Sequence, residues 1–76
     1  MWRLEYDDRA KVDISNLTAR QLADIKELLS ILTMTDNPRL SGGVNGKFWC
    51  YKIAGKVIKC TIVDAEKLIR IIAISL

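Results

Sequence analysis

Polar and apolar residues alternate along WRLEY (Trp2 to Tyr6), the period of a strand with one face in a core. Asp7-Asp8 then offers N-cap groups for a short helix carrying Ala10, Ile14 and Leu17 on one side, with Asn16 as its stop. Thr18 followed by Gln21 has the capping-box spacing, in which each side chain satisfies the other's free backbone N–H. The second helix places Leu22, Ile25, Leu29 and Leu32 at helical spacing, widened by Leu28 and Ile31. It must end before Asn37-Pro38, because a residue before proline is pushed out of the helical region. DNPRLSGGVNG (36–46) holds three of the four glycines and the only proline, and is expected to be the loop of the molecule. Strands follow at about Lys47 to Ala54, Lys56 to Val63 and Lys67 to Ser75, with Asp64-Ala65-Glu66 as a turn. The expected architecture is α+β, in the order β-α-α-β-β-β, with two helices packed on one face of a small, mostly antiparallel sheet.

Period two sorts the central hairpin, whose turn is Ala54-Gly55. Trp49, Tyr51 and Ile53 share a side with Ile58, Cys60 and Ile62, an apolar face suited to the helices. The opposite face collects Phe48, Cys50, Lys52 and Ala54 with Val57, Lys59 and Thr61. Lys52 and Lys59 therefore share the open face, with Arg70 placed to join them from the last strand. Cations on a partly apolar sheet can bind phosphates, and Phe48 offers a ring on which a base can stack. Solvated lysines also discourage edge-to-edge aggregation, so the same residues have a plain structural use. Lys47 and Lys56 stand at strand starts.

Composition narrows the chemistry. With 76 residues the chain is expected to form one domain, residues 1–76, burying roughly 60% of its unfolded surface. Half the residues are hydrophobic and 28% are charged, an ordinary balance for a globular domain, and the net charge is +3. The positive balance is compatible with nucleic acid without requiring it. There is no histidine, which removes His-based nucleophile systems and His-ligated zinc. No metal and no cofactor are expected. Across the hairpin Cys50 should face Lys59 and Cys60 should face Trp49, so the two sulfurs point to opposite sides and cannot bond. Two unpaired thiols without a signal peptide point to a reducing cytoplasm. LIRIIAISL is too short to span a bilayer and carries Arg70, so no membrane partner is expected.

The element order, the opening YDDRA, the loop PRLSGGVNGKF, the strand WCYKI and the turn VDAEKLIRIIAIS together resemble the RelE/ParE toxin superfamily, most of all its RelE branch, from about Tyr6 to Ser75. The resemblance implies a toxin of a toxin–antitoxin system, inhibiting translation by metal-independent, ribosome-dependent mRNA cleavage. It implies a cognate antitoxin, the ribosome and mRNA as partners. In such toxins, cations on the sheet face hold mRNA and stabilise charge as the 2′-hydroxyl attacks the scissile phosphate. On this chain the catalytic candidates are Lys52, which matches a family basic position, and Lys59 on the same face. Lys47, Phe48, Lys56 and Arg70 are the RNA-binding candidates. Ala54 and Val57 stand where the family carries further cations, and its Gly-(His/Lys)-Arg segment and tyrosine-bearing tail have no counterpart here. Catalysis is therefore expected to be weakened or lost. The alternative is a non-catalytic binding protein on the same fold, either a decayed toxin or a ParE-like inhibitor of DNA gyrase. A small RNA-binding domain unrelated to toxins is a third reading. An uncovered sheet face with Phe48 would suit an antitoxin segment or a second copy in a homodimer.

Overall fold

Five strands form one sheet in the order β1-β5-β4-β3-β2, with both helices packed on one of its faces. The structure, a computed structural model, describes all 76 residues. Its elements are β1 (Arg3–Tyr6), α1 (Asp8–Ser15), α2 (Ala19–Met34), β2 (Gly43–Asn45), β3 (Phe48–Ile53), β4 (Lys56–Val63) and β5 (Leu68–Ser75). Single 3-10 turns lie at Pro38–Leu40 and Asp64–Glu66. β1 runs parallel to β5 and every other pairing is antiparallel.

Local chemistry accounts for the boundaries. Thr18 Oγ1 accepts the Gln21 N–H at 3.2 Å and Gln21 Oε1 accepts the Thr18 N–H at 3.0 Å, closing the capping box of α2. Asp7 precedes α1 in extended conformation, though its side chain makes no cap bond. The two residues joining β3 to β4, Ala54 and Gly55, both have positive φ (55° and 75°), the geometry that suits the right-handed twist of a hairpin. Ala54 thus lies in the turn and not on the sheet face, one residue beyond the end of β3.

The segment expected to be all loop contains a fifth strand. β2 pairs three residues with β3, Gly43 opposite Cys50 and Asn45 opposite Phe48. The segment before it is fastened to β3: Tyr51 Oη donates to the Pro38 carbonyl at 2.6 Å, and Trp49 Nε1 donates to the Ser41 carbonyl at 2.9 Å. Burial keeps the Tyr51 phenol protonated far above its ordinary range, with the nearby Cys60 thiol adding to the shift. Arg39 forms a two-pronged ion pair with Asp64 at 2.8 and 3.0 Å, tying this segment to the β4–β5 turn and holding the Asp64 carboxyl below the usual carboxylate range.

The core face follows period two until β5. Tyr51, Ile58, Cys60, Ile69 and Ile71 pack against Ala10, Ile25, Leu29 and Leu32 of the helices. Lys59 opposes Ala73 but Cys60 opposes Ile71, so Ile72 is an extra residue, a bulge. The bulge returns Ile74 to the core phase. β1 has ended by then, and the Ile74 N–H donates to Asp13 Oδ2 of α1 at 2.9 Å. That bond, with Arg9 beside it, keeps the Asp13 carboxyl below its ordinary pKa. Cys50 and Cys60 are unbonded, on opposite faces, with the partners expected of them. Burial, reinforced by the nearby Cys50, pushes the Cys60 thiol up to about 12, and it donates to the Trp49 carbonyl. No helix is long and apolar enough to cross a membrane.

Candidate nucleic-acid interface

The sheet face away from the helices carries the candidate residues. On β3 it presents Phe48, Cys50 and Lys52, and on β4 Val57, Lys59 and Thr61; neither strand has an acidic residue. Lys52 opposes Val57 and Lys59 opposes Cys50, which makes the two lysines diagonal neighbours on one face. Five ion pairs occur in the molecule and neither lysine is in one. A concavity of about 570 Å³ opens beside them, walled by Gly42 to Asn45 and floored by Cys50, Lys52 and Val57. The pinned segment before β3 thus forms one side of the site, a contribution hidden in the sequence by its glycine-rich composition.

Phe48 sits among cations. The Lys59 ammonium lies 5.1 Å from its ring centroid and the Lys47 ammonium 5.6 Å from it, both within cation–π range. Lys47, Phe48 and Lys59 therefore form one group, which Lys52 adjoins as the diagonal neighbour of Lys59. Arg70 is on the same face, opposite Thr61, but its guanidinium pairs with Glu5 on the neighbouring edge strand at 3.2 Å. The pair is solvent-exposed, so Glu5 offsets part of the Arg70 charge and turns the guanidinium toward the sheet edge. Lys56 stands apart: it opposes Ile53 and is in phase with Ile58, on the helix side, where its charge helps to depress the Asp13 pKa. The structure does not bring it to the other candidates.

The group is suited to phosphate. Unpaired ammonium groups over a partly apolar floor, next to a concavity, attract a polyanionic backbone and can stabilise charge developing on a phosphate. Proton transfer is less well served. Tyr51 is on the core face with its hydroxyl committed to Pro38, and Tyr6 packs against the core, where burial raises its pKa. No tyrosine hydroxyl reaches the open face.

No family model and no curated protein matches the chain. Solved structures do. A chain of the intact RelBE toxin–antitoxin complex from E. coli superposes with a TM-score of 0.84 over 99% of this chain and 95% of its own length, at 15% identity. The fold is that of the RelE toxins. The isolated E. coli RelE toxin gives a TM-score of 0.76 over 99% of this chain and 83% of the toxin, at 16% identity. The RelBE2 complex of Mycobacterium tuberculosis gives 0.75 over 97% and 95%, also at 16% identity. At such identities the likeness establishes architecture, and function must be argued from the site.

Proposed function

We propose that the chain is a RelE-like toxin, acting on mRNA at the ribosome through its open sheet face and held in check by an antitoxin. The observation that carries this reading is the pair Lys52 and Lys59: two ion-pair-free lysines, diagonal neighbours on the uncovered face of a RelE fold. In this reading both ammonium groups clasp the phosphates flanking the scissile bond and offset charge as the 2′-hydroxyl attacks. Lys47 extends the cationic strip, and Phe48 lies within it. Lys56 and Arg70, assigned to RNA by sequence, take lesser parts: the first faces the helices and the second is paired with Glu5. An antitoxin is supported by the complexes formed by the structural neighbours, which include the RelBE2 complex and a RelE mutant bound to a RelB peptide.

A second reading has its own support. Val57 occupies the open face where the family resemblance implies a cation, Ala54 lies in the turn, and Arg70 is paired with Glu5. Two lysines alone must then act as base, acid and charge stabiliser, and the loss of one electrostatic donor can cost about a hundredfold or more. On this view the chain binds its target without cutting it.

Induction in a bacterial host separates the two. The toxin reading predicts growth arrest with new mRNA 5′ ends inside coding regions, and loss of both in Lys52→Ala and Lys59→Ala. Arrest with intact mRNA and an induced DNA-damage response would replace it with gyrase inhibition.

A further inference from the structure

We propose that Phe48 is a positioning residue, whose ring holds the Lys59 ammonium over the open face instead of serving as a stacking platform for a base. This deepens the reading of Lys52 and Lys59 as the phosphate-contacting pair and rests on it. Lys59 is half-buried, its stem lying on the sheet between Cys50 and Ala73, two side chains too small to reach and hold its ammonium group. No carboxylate fixes it, since it enters none of the five ion pairs. A free lysine loses much rotamer freedom when it settles on a phosphate, and that loss weakens binding. Phe48, one step diagonally across the ladder, removes part of it in advance: the ammonium already sits 5.1 Å from the ring centroid.

Lys47 addresses the same ring at 5.6 Å. One quadrupole thus gathers two like charges, and an arriving phosphate relieves their repulsion. The ring is already engaged by these ammonium groups, and a stacking base would compete with them for it. Lys52 has no such support. It is exposed, opposite Val57, and its contribution should be independent of Phe48.

The two roles separate with a ligand that has phosphates and no bases. Binding of a short single-stranded RNA and of inorganic tripolyphosphate is measured for the wild type, Phe48→Leu and Phe48→Tyr, each first shown to be folded by its amide NMR spectrum. The Lys59 ε-methylene shifts are read in the same samples. Positioning predicts that Phe48→Leu weakens RNA and tripolyphosphate by the same factor, about two- to fivefold. It also predicts that Phe48→Tyr restores both, and that ring-current shifts of the Lys59 ε-protons vanish in the leucine variant and persist in the tyrosine variant. Loss confined to RNA would make Phe48 a base platform and overturn the proposal. So would unshifted ε-protons in the wild type, or a wild type that binds neither ligand. A wild type that binds both but leaves ribosomal mRNA intact would sink the cleavage reading while leaving the role of Phe48 standing.

Discussion

Replacing Gly42 by alanine tests whether the segment before β3 is a fixed wall or a passive loop. Gly42 has φ +79°, where a Cβ costs about 1–2 kcal/mol in backbone strain alone. A Cβ there would also meet the Cys50 carbonyl, with Trp49 Nε1 at 2.8 Å and Tyr51 Cδ1 at 2.9 Å. Cys50 is in the middle of β3, so the segment must move instead. Movement stretches the bonds from Trp49 to Ser41 and from Tyr51 to Pro38, each worth about 1 kcal/mol net and more if a buried partner is orphaned. The sum is about 3–5 kcal/mol, out of the roughly 4–11 kcal/mol expected for a domain of this size. Gly46 and Gly55 provide internal controls. They have φ of +65° and +75° with open space where a Cβ would lie, so their alanine variants should lose only the backbone strain of about 1–2 kcal/mol. Urea unfolding followed by tryptophan fluorescence gives all three values. If Gly42→Ala falls within about 0.5 kcal/mol of Gly46→Ala, the wall is not held as described.

Other consequences follow from the same geometry. Ala54 occupies the left-handed region at φ 55°, so Ala54→Gly should raise stability by about 0.5–1 kcal/mol, the relief of strain exceeding the entropy that glycine adds to the unfolded chain; a loss of stability would contradict it. Asp13 and Asp64 both titrate below their unfolded values of about 4, so their contribution is present above that pH and disappears as pH falls through the lower native values. Asp13→Asn and Asp64→Asn should each flatten the fall in urea midpoint below about pH 4, and an unaltered slope would show that the carboxylates are not so engaged. Glu5→Gln should release Arg70 to the open face, tightening single-stranded RNA binding and steepening its log–log salt dependence by about 0.7. No change in that slope would mean that Arg70 is out of reach of the RNA.

The central hairpin is legible in the sequence because strand period and turn chemistry agree. Once Ala54-Gly55 is the turn, the register places Cys50 opposite Lys59 and Cys60 opposite Trp49, and the open-face lysines follow. The capping box is equally local, needing only Thr18 and Gln21. What escaped depends on tertiary partners. β2 is three residues inside a glycine-rich stretch, too short for alternation to register. The bulge at Ile72 lies in IRIIAI, where an extra apolar residue among apolar residues shifts the phase without leaving a mark. Arg70 is 65 residues from Glu5, and only the parallel pairing of the first and last strands brings them together. Lys56 is one residue out of phase with the open face, a matter the turn decides. Asp13, which fits any exposed helix position, closes the ladder of a strand 61 residues away.

If Lys52 and Lys59 act as proposed, two unpaired lysines on a RelE fold suffice to cut mRNA. Purified protein incubated with mRNA-programmed ribosomes, followed by primer extension, tests it without an antitoxin or a host. The account predicts a new 5′ end within the codon held in the A site, absent with Lys52→Ala and with Lys59→Ala, and absent for the same mRNA without ribosomes. Full-length mRNA in every lane would contradict it and leave the open face as a binding surface.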